Sequence, residues 1–319
     1  MSFKPVAMRD VFLKQILDAM HQDSSIYFVS ADFGSPILDG IREHFPHRFV
    51  NVGIAEQNLI NISAGLSLEG FKVFAYAIAP FITMRCYEQT RVNLALLSTL
   101  REMNVTLIGV GAGYSYVVSG PTHQCYEDIS IMRAMPNMGV FSPADSMTAG
   151  ALFEQCINQK GPKYLRLDAQ VLPVLYQADD IQLTDGFQVL TQGDDLSIIA
   201  TGYMVHSALR VAAILKQQDI NARVIDLYNL SGFSSGALLT ALAKTTQIVS
   251  MEEGFVGRGG MDMMLMNWLN QHAPNKKLLN FGVQGSYRFE LGSRQELHAQ
   301  IGLGIADMAE KIINITETV

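Results

Sequence analysis

The sequence predicts an α/β protein with two doubly wound domains, the first built on a parallel sheet and the second smaller. Short β-branched or apolar runs alternate with segments of helical periodicity along most of the chain. The 319 residues are too many for one small core and suit two domains. Residues 170–188 carry no sustained period and are interpreted as a linker. We therefore predict one domain over residues 1–175 and another over residues 188–319.

The first domain shows the clearer alternation of elements. Strands are predicted at residues 26–30, 49–52, 72–77, 105–110, 139–142 and 164–167. Helices are predicted at residues 8–22, 37–45, 56–68, 81–97, 128–134 and 146–158. Because helices connect parallel strands, the carboxyl ends of the strands meet at one edge of the sheet, where ligands bind in open α/β folds.

The second domain repeats the alternation in a shorter form. Strands are predicted at residues 196–200, 222–227, 248–251 and 278–282, with helices between them and near residues 294 and 306. The glycine-rich run at residues 257–260 has neither dinucleotide nor P-loop spacing, so helix–strand packing is the preferred interpretation. Gly193, Asp194 and Asp195 precede a strand and are interpreted as a turn rather than a metal-diphosphate motif.

Composition excludes several classes of function. The formal net charge is -7 and no basic arm is present, so nucleic acid is an unexpected partner. No apolar run reaches the length of a membrane span, and the first residues lack the apolar core of a signal peptide. The cysteines Cys86, Cys125 and Cys156 are far apart, which favours a reducing, cytoplasmic location.

Residues 49–58 have the pattern of a strand, a tight turn and a helix start, with Gly53 at the joint. The turn places the carboxylate of Glu56 in the first helical turn, at a strand-end surface where ligands bind. For a lone glutamate the simpler interpretation is complementation of the helix dipole, and this alternative stays open on these residues alone.

The loop 111–124 leaves the end of a predicted strand at the same sheet edge as Glu56. Long loops at that edge are more often functional than not, and their glycines permit unusual backbone angles. His123 can exchange protons near neutral pH, although a structural role is an equally good interpretation of it.

The predicted helix at 81–97 provides a third element. Phe81, Met84 and Tyr87 lie at i, i+3 and i+6 and would share one face of an α-helix. Core packing is the simpler interpretation of that face. Together with Glu56, the face would suit a flat heteroaromatic ring whose edge nitrogen meets the carboxylate.

These motifs, in this order, resemble the C-terminal part of transketolase and of the related deoxyxylulose-phosphate synthase. The matching segments are 30–32 (Ser-Ala-Asp), 53–57 (Gly-Ile-Ala-Glu-Gln), 79–81 (Ala-Pro-Phe), 87–89 (Tyr-Glu-Gln), 120–124 (Gly-Pro-Thr-His-Gln), 136–138 (Pro-Asn-Met) and 142–145 (Ser-Pro-Ala-Asp). The resemblance spans essentially the whole chain, and its specificity rests on the pairing of 53–57 with 120–124.

The resemblance implies a split enzyme that uses thiamine diphosphate and Mg²⁺. The family has a domain for the diphosphate and Mg²⁺, a domain for the pyrimidine, and a C-terminal domain, and this chain resembles only the last two. A separate N-terminal transketolase-like subunit carrying the diphosphate and metal site is therefore implied. Family geometry places the active site between domains of different protomers and suggests self-association, as a heterotetramer of two chains of each kind.

The resemblance also assigns roles to matched positions. Glu56 resembles the glutamate that bonds the aminopyrimidine and promotes its imino tautomer, and His123 resembles the histidine at the substrate hydroxyl and carbonyl. Cofactor contacts are implied for Asp32, Ile54, Glu56, Phe81, Met84 and Tyr87. No residue of this chain is expected to ligate the metal.

Three departures from the transketolase pattern bear on the substrate. Gly111 stands where transketolases have a histidine, Ser119 where they have an aspartate, and Ala169 where an arginine grips the substrate phosphate. An alanine cannot replace a bidentate arginine clamp, and strand alternation can point the nearby Arg166 elsewhere. We therefore expect ketol transfer on an atypical sugar or sugar-derived substrate.

Two other interpretations remain open from the sequence. The β subunit of a 2-oxo-acid dehydrogenase has the same two-domain plan, but it usually has a different motif where this chain has Thr122 and His123. A non-catalytic scaffold or regulatory protein that kept the fold is the second alternative. The presence of both Glu56 and His123 argues against it.

Overall fold

The first domain is organised around a parallel sheet. A computed structural model describes residues 5–177 and 180–316 of the chain. Six strands in the order β2-β1-β3-β4-β6-β5 form this sheet, and every neighbouring pair is parallel. The strands are β1 Ile26–Ser30, β2 Phe49–Asn51, β3 Lys72–Ile78, β4 Asn104–Val110, β5 Gly139–Phe141 and β6 Gly161–Leu167. The predicted parallel, doubly wound sheet is confirmed.

The second sheet is mixed. Its order is β11-β10-β8-β9-β7, and β7 runs antiparallel to β9. The strands are β7 Phe187–Thr191, β8 Leu196–Ala200, β9 Ala222–Leu227, β10 Gln247–Phe255 and β11 Lys277–Val283. The sequence did not predict β7, because this bulged edge strand is mostly half-buried and lacks a clear alternation of apolar and polar residues.

Helices cover both sheets at the predicted places. They are α1 Met8–Gln22, α2 Pro36–His44, α3 Glu56–Leu68, α4 Tyr87–Gln89, α5 Asp128–Arg133, α6 Ser146–Asn158, α7 Met204–Lys216, α8 Ser235–Ala241, α9 Met261–His272, α10 Arg294–Gln300 and α11 Ile305–Thr316. No helix among residues 5–177 and 180–316 is long and apolar enough to cross a membrane.

The helix predicted at 81–97 differs from an ordinary α-helix. Only α4 has α-helical bonding, and the segments Phe81–Arg85 and Thr90–Leu96 on either side are wound as π-helix. The wider turns of a π-helix rotate side chains by smaller steps, so α-helical spacing no longer brings i, i+3 and i+6 onto one face. Such turns occur frequently at functional sites.

The two sheets share buried contacts. One apolar cluster contains Val105 and Tyr164 from the first sheet together with Ile225 and Leu227 from the second. The edge of β5 is closed by the second domain, since the Ser142 amide donates to the Tyr228 carbonyl at 2.8 Å.

A buried charge network also crosses between the domains. Arg294 at the start of α10 donates to both carboxylate oxygens of Glu253 on β10, and to Asp168 after β6 at 2.6 Å. His298 bonds Glu253 at 2.6 Å. Burial alone would raise the pKa of Glu253, but the charge of Arg294 and the hydrogen bonds from Arg294 and His298 outweigh it and hold the pKa below its ordinary value.

Glu252, the neighbouring residue, explains the glycine-rich turn before α9. Its carboxylate accepts from the amides of Met261 at 3.0 Å and Asp262 at 2.7 Å, where a phosphate loop would hold its anion. A Cβ on Gly260 would lie 2.6 Å from a Glu252 oxygen. Close helix–strand packing, the preferred interpretation of this turn, is confirmed.

Candidate active site at the carboxyl edge of the first sheet

Glu56 begins α3 directly beyond the end of β2. Gly53 makes the turn with a φ of 73°, a conformation that glycine adopts without strain. The Asn51 side chain fixes the turn, since it accepts from the Gly53 amide at 2.9 Å and donates to Asp32 at 2.9 Å. Glu56 itself is only 2% exposed, so the carboxylate is buried rather than on the surface expected from the sequence.

Arg85 is the partner of this buried carboxylate. Its guanidinium donates to Glu56 Oε2 at 2.7 Å and lies 4.3 Å from the centre of the Phe81 ring. The Arg85 side chain is 44% exposed, so the pair lies at the boundary between the core and solvent. Sequence reasoning did not select Arg85. The one sequence signal for Arg85 was its position four residues after Phe81, about one turn along the predicted helix.

The His123 ring also contacts Phe81. The two rings are perpendicular within about 20°, with their centres 5.3 Å apart. The hydroxyl of Thr122 is 3.0 Å from His123 Nδ1, and a 3-10 turn at Gly120–Thr122 fixes the end of the loop. Arg85 therefore links Glu56 to Phe81, and Phe81 in turn contacts His123. These contacts bring three predicted site residues together at one edge of the sheet.

Three other predicted cofactor contacts are exposed or partly exposed. Asp32 is exposed after β1 and holds a φ of 54°, a strained angle that Asp tolerates better than most residues. Ile54 is 74% exposed and Met84 is 39% exposed. Ile54 precedes Glu56 by two residues and Met84 precedes Arg85 by one, so these two side chains flank the Glu56–Arg85 pair in sequence.

Tyr87 packs against the hydrophobic core of the chain. Its hydroxyl donates to the carbonyl of Ile131 at 3.1 Å. Because the turn between Phe81 and Tyr87 is π-helical, α-helical spacing does not describe how these two side chains are placed.

Arg166 cannot serve as a substrate clamp. It is 3% exposed, donates to Asp128 at 2.7 Å and donates to the Glu253 carbonyl at 3.1 Å. Arg294 is likewise held by Asp168 and Glu253. Within residues 5–177 and 180–316, no group of three or more His, Cys, Asp or Glu side chains is arranged to hold a metal ion.

The chain is similar to known proteins over most of its length. The transketolase pyrimidine-binding domain profile matches residues 4–174, and the transketolase C-terminal domain profile matches residues 186–308. One subunit of the apulose-4-phosphate transketolase of Phocaeicola vulgatus is 31% identical, over 93% of this chain and 94% of its own. A subunit of the 6-deoxy-6-sulfo-D-fructose transketolase of a Clostridium species is 29% identical, over 97% of this chain and 94% of its own.

A solved structure described as a split gene transketolase, inactive beta4 tetramer, superposes with a TM-score of 0.84 at 29% identity and covers 98% of both chains. The sequence resemblance, the two α/β domains and both matched domain profiles agree. The chain belongs to the transketolase family of transferases, and contains its pyrimidine-binding and C-terminal domains.

Proposed function

We propose that this chain is the C-terminal subunit of a split transketolase-like enzyme that transfers a two-carbon ketol group with thiamine diphosphate. The observation that carries the proposal is the row Glu56–Arg85–Phe81–His123, a buried carboxylate and a solvent-reachable imidazole joined at one sheet edge. The substrate is an atypical sugar or sugar-derived compound. The relatives named for apulose-4-phosphate and for 6-deoxy-6-sulfo-D-fructose support a substrate of this kind.

The residues present fit the pyrimidine half of thiamine diphosphate. A buried carboxylate suits a ring nitrogen that must share a proton, and a half-exposed aromatic ring suits a flat heterocycle. Glu56 would bond the ring nitrogen, while Phe81, Ile54 and Met84 would contact the ring faces and edges. When bound, thiamine diphosphate supplies the carbanion-stabilising chemistry that ketol transfer requires.

The protein's own contribution is then proton transfer and orientation. Glu56 would share a proton with the pyrimidine nitrogen, and its carboxylate is itself only 2% exposed. Thr122 orients His123 through Nδ1, which leaves Nε2 free to act on a substrate hydroxyl or to stabilise a developing alkoxide. Asp32 and Tyr87 remain proposed cofactor contacts at the margin of the site.

The diphosphate and Mg²⁺ would be held mainly by a partner, an N-terminal transketolase-like subunit. The naming of the relatives as subunits supports this division. Exposed Ile54 and Met84 beside the site support a surface completed by another chain. The same division of the site between chains suits a heterotetramer of two chains of each kind, in which this chain also self-associates. Within this chain, the proposed domain division is at residues 1–175 and 188–319.

His123→Ala tests the proposed division of labour. With the partner, thiamine diphosphate and Mg²⁺ present, we expect turnover of β-hydroxypyruvate to fall by about 10²–10⁴-fold. Exchange of the cofactor's C2 proton for deuterium, followed by NMR, should stay within twofold of wild type, since that step is assigned to Glu56.

Thr122→Val, at the exposed residue before His123, is a second variant for comparison. It removes only the hydrogen bond to His123 Nδ1, so it should lower turnover less than His123→Ala does. Equal turnover by His123→Ala and wild type would show that His123 has no role in the reaction. Lipoamide acylation by the reconstituted pair would instead identify a 2-oxo-acid dehydrogenase, and no thiamine-dependent turnover of either kind would favour a non-catalytic scaffold.

A further inference from the structure

The Tyr116 ring packs directly against Gly111 at the end of β4. Gly111 has a φ of 106°, and a Cβ built on it would lie 2.1 and 2.4 Å from two carbons of the Tyr116 ring. No side chain fits at position 111 while this ring is in place. The ring of Tyr116 therefore occupies the space that a side chain at 111 would fill.

The segment after the neighbouring strand β6 also has a small side chain, and it packs against the loop that carries Tyr116. β6 pairs with β4, and the amides of Gly111 and Ala112 both donate to the carbonyl of Leu167, at 2.9 and 3.1 Å. Ala169 follows two residues later with a single methyl side chain. Gln170 bonds the Ser115 carbonyl at 3.2 Å, so the segment after β6 lies against the start of the Tyr116 loop.

Tyr116 also continues the row of rings that begins at Phe81. The centre of the His123 ring lies 5.3 Å from Phe81 and 6.3 Å from Tyr116, and both contacts are edge-to-face. A substrate that extends from the cofactor side past His123 would meet the Tyr116 ring next. Burial raises the pKa of the Tyr116 hydroxyl, so at neutral pH the ring presents a neutral group there.

We infer that Tyr116 is a specificity-determining residue of the substrate channel, occupying the space beside Gly111 at the end of β4 and limiting the bulk of the substrate portion that extends past His123. This inference rests on the proposed function. It assigns this chain's side of the channel to a compact portion of the substrate, which would contact the Tyr116 ring.

Tyr116→Ala tests the inference in the reconstituted pair. Two ketol donors serve as probes with one and the same aldehyde acceptor: β-hydroxypyruvate, which has no distal chain, and D-fructose 6-phosphate, which has a long phosphorylated one. We expect kcat/KM for D-fructose 6-phosphate to rise about tenfold relative to β-hydroxypyruvate, through a lower KM. The readout is this ratio within each variant, so a change in turnover that is common to both donors does not affect it.

Tyr116→Phe and Val118→Ala are the matched controls, since the first keeps the ring and the second shortens a side chain that is 77% exposed on the same loop. Both should keep the wild-type ratio. Tyr116→Leu replaces Tyr116→Ala if the alanine variant does not fold.

An unchanged ratio in the alanine or leucine variant, with measurable turnover of both donors, overturns the inference and leaves the proposed function intact. No thiamine-dependent turnover of β-hydroxypyruvate by the wild-type pair overturns the proposed function and this inference together.

Discussion

Glu56→Gln is expected to lower turnover of the reconstituted enzyme by about 10²–10⁴-fold, because it removes the carboxylate that shares a proton with the cofactor. The amide is nearly isosteric and can still accept from Arg85, which is 44% exposed and can be solvated. We therefore expect the free energy of unfolding to change by about 1 kcal/mol or less. Turnover of β-hydroxypyruvate and C2 proton exchange measure the two effects separately.

Both readouts should fall in Glu56→Gln, whereas only turnover should fall in His123→Ala. Glu69→Gln is the control, because Glu69 is an exposed glutamate at the other end of the same helix. It should behave as wild type in both measurements. Full C2 proton exchange in Glu56→Gln would show that another group activates the cofactor, and the assignment of Glu56 would then be wrong.

Arg294→Met is expected to destabilise the chain by about 3–5 kcal/mol, because it leaves buried carboxylates without their counter-charge. Arg294 is the shared partner of Glu253 and Asp168, and both acids are 3% exposed or less. Urea denaturation followed by circular dichroism measures the loss. Arg210→Met, which removes an exposed arginine from α7, is the matched control and should shift stability by about 0.5 kcal/mol or less.

The pH dependence of this loss follows from the lowered pKa of Glu253. A carboxyl group whose pKa is lower in the folded protein contributes stability above its unfolded pKa, and that contribution is lost as pH falls toward the folded pKa. The stability difference between wild type and Arg294→Met should therefore shrink between about pH 5 and pH 3. A difference that stays constant over that range would show that packing, rather than charge, accounts for the effect of Arg294.

Much of the fold followed from local patterns in the sequence. The strand, glycine turn and helix start around Gly53 and Glu56 are encoded within ten residues, and the structure has them where they are expected. The same holds for the loop that ends at His123. These features depend on short-range periodicity and turn chemistry, which a single sequence displays directly.

The environment of the site could not be predicted from such patterns. Arg85 reaches Glu56 across 29 positions, and the π-helical winding that separates Tyr87 from Phe81 has no sequence period of its own. The network of Asp168, Glu253 and Arg294 joins residues 41 to 126 positions apart. Burial of Glu56, and the contact of Tyr116 with Gly111, likewise depend on tertiary packing.

The most direct test of the split-site account is the binding of thiamine diphosphate, with and without Mg²⁺, by isothermal titration calorimetry. The titration compares this chain, the N-terminal transketolase-like partner, and the two together. The account predicts weak or undetectable binding to this chain alone and tight, Mg²⁺-dependent binding to the pair. Tight Mg²⁺-dependent binding to this chain alone would contradict it.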